Sequence, residues 1–215
     1  NGFAVALVTT GPGGTNAITG LAGAWLDSIP VLFLSGQFRT ETLGFSKEIR
    51  QSVLQQMFPV ELIKPMVKFG KLLDDPNSLK VDLRDALTLM QQGRPGPVWL
   101  DIPLDMQATE VQSEELDVEI GQTEVLNLRE LEILLSNSVR PVILAGHGVR
   151  LSGSVDKLKE MVTKLRVPLL TSINGMDLVA DSFEYFYGRP NYWGQREANF
   201  IVQNSDLVIS IGAGL

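Results

Sequence analysis

The chain has 215 residues, 44% hydrophobic and 20% charged, enough for one large or two small globular domains with a buried core. It carries 18 Lys and Arg against 25 Asp and Glu, a net charge of −7 at pH 7, which argues against a nucleic-acid or anionic-membrane surface. It has no cysteine, so disulfides, thiolate metal sites and a cysteine nucleophile are excluded.

The absence of cysteine fits a cytoplasmic protein, and no run approaches the roughly 20 continuous apolar residues of a membrane span. The chain opens on Asn1-Gly2 without a methionine or a signal peptide, and it stops at Leu215 just after an apolar run. A piece of a longer chain would read this way. Phe3–Thr9 is a β-prone run, followed by the glycine-rich turn Thr10-Gly11-Pro12-Gly13-Gly14. Ala17, Ile18, Leu21, Ala22, Trp25 and Leu26 recur at helical spacing. Ile29–Ser35 predicts a second strand. Leu79, Leu83, Ala86, Leu87 and Met90 predict a helix with Asn77 or Ser78 as N-cap, and Pro97–Ile102 a third strand. Ala108–Thr123 is polar and acidic without an apolar period and reads as an exposed linker. Beyond it, helices are expected at Leu128–Leu135, Val155–Leu165 and Gln195–Gln203, and strands at Pro141–Ala145, Val167–Thr171 and Leu207–Ile211. Strands apolar on both faces that alternate with amphipathic helices imply an α/β fold. The expectation is two doubly wound, mostly parallel sheets covered by helices, both incomplete.

Thr9-Thr10-Gly11-Pro12-Gly13-Gly14-Thr15-Asn16 lies between a strand and a helix. Ligands of open α/β sheets bind there, where glycines let backbone approach a ligand. The spacing is neither a P-loop nor a GxGxxG fingerprint. A tight connection capped by Thr15 or Asn16 describes it equally well. Gly146-His147-Gly148, with Gly153 before the next helix, is a second turn that could hold a nucleotide, although a bare structural turn accounts for it too. His147 is the only histidine, which makes a metal role there improbable. Tyr185, Tyr187, Tyr192 and Trp193 read as an aromatic loop packed on a domain edge, or as a wall that stacks on an adenine ring. Arg94, between Gly93 and Pro95, reads as a structural turn residue.

Taken in order, these segments resemble one family. Gly11-Pro12-Gly13-Gly14-Thr15-Asn16, Gly20-Leu21-Ala22, Asp27-Ser28-Ile29-Pro30 and Ser35-Gly36-Gln37 are followed by Arg50-Gln51, Leu54-Gln55-Gln56 and Lys68-Phe69. Gly93-Arg94-Pro95-Gly96-Pro97-Val98 and Asp101-Ile102-Pro103 come next, and Arg140-Pro141-Val142, Gly146-His147-Gly148, Val167-Pro168, Gly175 and Asn204-Ser205-Asp206-Leu207 continue the match. Nearly the whole chain resembles thiamine-diphosphate-dependent enzymes of the acetolactate synthase and pyruvate oxidase type.

The resemblance implies residues 1–107 as the C-terminal part of a pyrimidine-binding domain, 108–125 as linker and 126–215 as part of a transhydrogenase-type central domain. It implies a carboligase or decarboxylase, a transferase or lyase, acting on a 2-oxo acid. Its cofactors would be thiamine diphosphate and Mg²⁺, with FAD in some relatives, and the complete form would be a homodimer or homotetramer. Gly11, Pro12, Gly13, Gly14, Thr15 and Asn16 would line the aminopyrimidine. Gln55 matches an active-site glutamine, Lys68 a lysine near the substrate entrance, and Gly146, His147 and Gly148 the nucleotide-like turn. Leu54 and Gln56 depart from the family's Phe and Glu, which implies a different acceptor or 2-oxo acid. The family's catalytic glutamate segment and its GDG…NN magnesium motif have no counterpart here. Residues 1–215 alone are therefore expected to be inactive and to need a diphosphate-binding domain. The other readings are a flavin- or nucleotide-binding oxidoreductase domain and a non-catalytic assembly module. Without the family, Gln55 and Gln56 would read as a solvated helix face.

Overall fold

In the computed structural model, which describes residues 2–43, 49–111, 118 and 127–214, the chain divides into two compact units, Asn1–Glu124 and Val125–Leu215. Most of the expected linker falls outside the described residues.

The first unit contains β1 (Ala4–Val8), α1 (Pro12–Asp27), β2 (Val31–Gln37), α2 (Thr40–Leu43), α3 (Pro59–Ile63), β3 (Phe69–Leu72), α4 (Leu79–Gln91), β4 (Val98–Pro103) and α5 (Leu104–Gln107). Its strands are parallel in the order β1-β2-β4-β3. Alternation along β4 decides the layering. Val98 and Leu100 point one way and pack with Leu32, Leu73, Ala86 and Met90 beneath α4. Trp99 points the other way and packs with Leu21, Phe33 and Ile63 beneath α1 and α3. The Phe33 and Trp99 rings stack with centroids 5.1 Å apart. With both faces covered, β4 has no polar side to show, which is why it reads as a continuous apolar run.

The second unit contains α6 (Arg129–Asn137), β5 (Pro141–Ala145), α7 (Gly148–Leu151), α8 (Val155–Leu165), β6 (Leu169–Thr171), α9 (Arg196–Asn204) and β7 (Leu207–Ile211), with parallel strands in the order β6-β5-β7. Ile143, Ala145 and Leu169 pack with Leu158 and Val162 of α8, while Val142 and Leu170 pack with Ala198 of α9. Both sheets are therefore parallel and covered by helices on both faces. No described helix is long and apolar enough to cross a membrane.

Two local expectations change. The first helix begins at Pro12, ahead of the apolar periodicity and of the Thr15 or Asn16 cap, because proline at the first helical position needs no N–H acceptor and presets φ. Ser78 holds the N-cap position of α4 without a side-chain cap bond. The cap lies one short helical turn earlier, where Asp75 accepts the Asn77 N–H at 2.9 Å, and the Ser78 hydroxyl instead donates to Asp82 at 2.6 Å.

Candidate functional site

The glycine-rich segment is a helix start hinged on one residue. Gly11 has φ +64° and ψ −122°, a conformation that side chains oppose, and its carbonyl accepts the Thr15 N–H at 3.0 Å to close the first turn of α1. Thr15 and Asn16 sit inside this turn and do not cap it; the Thr15 hydroxyl donates to the Pro12 carbonyl at 3.1 Å. Pro12 and Asn16 are exposed, whereas Gly11 and Gly14 are buried. The first N–H groups of a helix have no acceptor within it, so this turn presents backbone donors at the C-terminal end of β1.

Gln55 lies against the hinge. It is in a turn with φ +61°, not on a helix face. A Cβ on Gly11 would lie 2.9 Å from Gln55 Cβ and overlap the Gln55 carbonyl oxygen. The Gln55 side chain is exposed, and Leu54 beside it is 78% exposed. Gln56 braces the loop: its Oε1 accepts from the Ser52 N–H at 2.7 Å and is 3.0 Å from the Ser52 hydroxyl.

Beneath both segments is a polar cluster within the apolar sheet. Alternation puts Ser35 and Gln37 of β2 on the Phe33 face, and Asp101 of β4 on the Trp99 face. Register then sets Ser35 directly beside Asp101. The indole Nε1 of Trp99 donates to Ser35 Oγ at 2.7 Å, and Ser35 donates to Asp101 Oδ1 at 2.5 Å. Gln37 Nε2 donates to Asp101 Oδ2 at 2.9 Å. Burial pushes the Asp101 carboxyl above the ordinary aspartate range, opposed by the bonds from Ser35 and Gln37.

At the C-terminal ends of β1, β2 and β4 is an open cleft of about 510 Å³, lined in part by Leu7, Thr9, Ser35, Gly36, Ile102 and Gln107. Thr9 belongs to both the cleft wall and the segment that leads into Gly11. The cleft walls are mostly apolar, with the Thr9 hydroxyl and the Gln107 amide as polar groups.

Comparison with known proteins shows the family of the chain. The family model described as "Thiamine pyrophosphate enzyme, N-terminal TPP binding domain" matches residues 1–62. The one described as "Thiamine pyrophosphate enzyme, central domain" matches residues 128–215. The chain belongs to the thiamine pyrophosphate enzymes. Among its relatives, the acetolactate synthase large subunit of Lactococcus lactis subsp. lactis (strain IL1403) is 32% identical over 216 residues, 97% of this chain and 36% of the relative. The acetolactate synthase isozyme 2 large subunit of Escherichia coli (strain K12) is 32% identical over 215 residues, 97% of this chain and 38% of the relative. The probable acetolactate synthase large subunit of Methanococcus aeolicus is 32% identical over 218 residues, with 97% and 35% covered. The chain thus spans little more than a third of the length of these relatives.

Within the first unit, two further residues singled out by sequence lie apart from the Gly11 turn. Lys68 immediately precedes β3, beside the entry to β4 and at the opposite end of the sheet. Its ammonium donates to the carbonyl oxygens of Gln92 and Arg94 (2.9 Å to Arg94), and burial lowers its pKa. Arg94 is a structural residue, as its flanking Gly and Pro imply: its Nε donates to Ser28 Oγ at 2.6 Å and ties the end of α1 to the approach to β4.

In the part that matches the central-domain model, Gly146 and Gly148 follow β5, where the strand order reverses. A Cβ on Gly148 would lie 2.8 Å from Gly212 Cα, and one on Gly146 would overlap Gly212 and Ala213 backbone. These glycines permit two backbone turns to touch. The His147 carbonyl accepts the Arg150 N–H at 2.9 Å, and His147 caps α7 without a side-chain bond. The aromatic cluster divides. Tyr185 packs on the core, whereas Tyr192 and Trp193, 89% and 85% exposed, form an edge-to-face pair in solvent instead of packing on a domain edge. Ser35, Gln37 and Asp101 were not marked as site residues by their sequence. Their signal is a polar side chain at the same alternation phase near the ends of two otherwise apolar strands.

Proposed function

We propose that this chain supplies the aminopyrimidine-facing part of a thiamine-diphosphate-dependent carboligase or decarboxylase that acts on 2-oxo acids, as acetolactate synthases do. Residues 1–107 form the C-terminal part of a pyrimidine-binding domain, 108–125 a linker and 126–215 part of a central domain. The observation that carries this reading is the seating of the Gln55 loop on Gly11, at the start of α1 beyond the C-terminal end of β1.

Gly11, Pro12, Gly13, Gly14, Thr15 and Asn16 would hold the aminopyrimidine through backbone and shape. The Gln55 carboxamide, exposed beside them, would hydrogen-bond an oxygen of the substrate. Thiamine diphosphate, when bound, supplies the electron sink for decarboxylation. The described residues at this turn fit only the aromatic end of that cofactor. Mg²⁺ holds phosphates through hard oxygen ligands, and no group of acidic side chains with that arrangement stands among the described residues. On this reading a further domain would hold the diphosphate and Mg²⁺, and the glutamate that polarises the pyrimidine ring would come from outside residues 1–215. Lys68 could act at a substrate entrance only from the far end of the sheet, where a partner surface would have to meet it. A flavin has no comparable support, because contact with Gly212 and Ala213 accounts for Gly146 and Gly148.

The test is a thiamine diphosphate titration, with Mg²⁺ present, of the protein as its host makes it, following consumption of a 2-oxo acid. Turnover that requires both additions is expected; turnover indifferent to them overturns the assignment. Residues 1–215 alone should show no micromolar affinity for thiamine diphosphate in calorimetry. Such affinity would overturn the placing of the phosphate grip in another domain.

A further inference from the structure

The polar cluster beneath the site ends on a single amide. Gln37 is 4% exposed and uses every hydrogen-bonding position it has. Nε2 donates to Asp101 Oδ2 at 2.9 Å and to the Met57 carbonyl at 2.7 Å. Oε1 accepts from the Thr10 hydroxyl at 3.1 Å and from the Phe38 N–H at 3.0 Å. The partners fix which end is nitrogen: a carboxylate and a carbonyl only accept, and a backbone N–H only donates. Asp101 is itself held by Ser35, and Ser35 by Trp99 in the core.

The line of bonds therefore starts in the sheet and ends on two segments of irregular backbone. Thr10 directly precedes the Gly11 hinge, and Met57 lies two residues beyond Gln55. Those segments also touch at Gly11 and Gln55. We propose that Gln37 is a positioning residue that locks the Gly11 turn and the Gln55 loop into one unit, so that a ligand held by the turn is within reach of the Gln55 carboxamide. The ligand part of this inference rests on the aminopyrimidine reading above; the coupling part does not.

Two variants separate the arms. Gln37→Met keeps the length of the side chain and removes all four bonds. Thr10→Val removes only the bond to the turn. Hydrogen exchange is read on the full chain without any ligand, with β5, β6 and β7 as internal reference. In Gln37→Met, the hydrogen-bonded amides of the two segments, among them Thr15 and Gln56, should exchange about tenfold faster while those of β2 and β4 stay protected, as expected for the loss of a few buried hydrogen bonds. In Thr10→Val only residues 10–16 should respond. Unchanged exchange in both segments, or acceleration shared equally by β2 and β4, overturns the coupling.

The ligand part is read in the protein as its host makes it. Gln37→Met should weaken thiamine diphosphate binding about tenfold. It should also make Gln55→Ala nearly silent for turnover, because Gln55 is already misplaced; a purely structural role would leave the two effects additive. Additive effects overturn the positioning role. If the exchange response appears but the unaltered protein binds no thiamine diphosphate, the coupling stands and the proposed function falls. If thiamine diphosphate binds and the exchange response is missing, the reverse holds.

Discussion

Gly11 and Gln55 meet backbone to backbone, and the contact leaves no room for a Cβ on Gly11. Both residues have positive φ, so two unfavourable backbone conformations are matched to each other across the contact. Gly11→Ala should cost about 1–3 kcal/mol from the disallowed φ alone, and the new methyl must also push the Gln55 carbonyl away. Urea denaturation should show the loss. Hydrogen exchange should place the loosening in residues 51–58, and a variant with unchanged exchange there would mean that the loop does not depend on the turn.

Ser35 is an acceptor for the Trp99 indole and a donor to Asp101, both buried. Ser35→Ala strands both partners and should destabilise by about 1–3 kcal/mol. The pH dependence has a definite sign. Burial already raises the Asp101 pKa in the folded state, so its contribution to stability is present below the unfolded value and is lost as pH rises through the folded one. Removing the Ser35 bond raises the folded pKa further. The deficit of Ser35→Ala should therefore be larger at about pH 7 than near pH 4, measured as a difference in urea midpoints.

The alternation of apolar strands and amphipathic helices made the α/β class legible, since buried parallel strands such as Val98–Leu100 have no polar face to confuse the pattern. The short strand Phe69–Leu72 was not legible: it is four residues long, half-buried, interrupted by Gly70 and placed at the sheet edge. The Gly11 turn could be located by its composition, but the start of α1 at Pro12 could not, because Gly13 and Gly14 are poor helix formers that position overrides. The polar cluster was not legible for a different reason. Ser35, Gln37 and Asp101 are far apart in sequence, and only the β2–β4 register makes them neighbours. The family resemblance identified Gln55 as a site residue, but its left-handed turn is a tertiary outcome of its seat on Gly11.

Asp206 holds the turn that enters β5. Its carboxylate accepts from the Ser138 hydroxyl and from the N–H groups of Val139 and Arg140, each at 2.9 Å, and these bonds pull its pKa down to about 2. A depressed folded value means that the tether is fully formed above the unfolded pKa of about 3.9 and is lost as pH falls through the folded one. Amide exchange at Val139 and Arg140 should therefore accelerate, beyond its intrinsic pH dependence, between about pH 4 and 2. Asp206→Asn should show that acceleration already at neutral pH.

Gln55 and Gln56 are adjacent and should behave differently. Gln55→Ala removes an exposed side chain and should change stability by no more than about 0.5 kcal/mol. If the proposed function holds, it should lower turnover in the protein as its host makes it. Gln56→Ala removes the acceptor of the Ser52 N–H and should destabilise the loop by about 0.5–1.5 kcal/mol. Thermal melts of the two variants, read beside turnover, separate a substrate-facing carboxamide from a loop brace; equal stability losses would contradict the assignment.

β1 is an edge strand, and on the face of the sheet away from Ala6 and Val8 it shows Val5 and Leu7, the latter 80% exposed. An exposed apolar edge strand is a template for pairing with another chain. Residues 1–215 should therefore self-associate at micromolar to millimolar concentration. Leu7→Lys should reduce the association by placing a charge on the edge, and because Leu7 makes little use of the core it should leave stability within about 0.5 kcal/mol. Sedimentation velocity over a concentration series decides the matter: a strict monomer throughout, or association that Leu7→Lys does not weaken, would mean that β1 is not the surface through which copies meet.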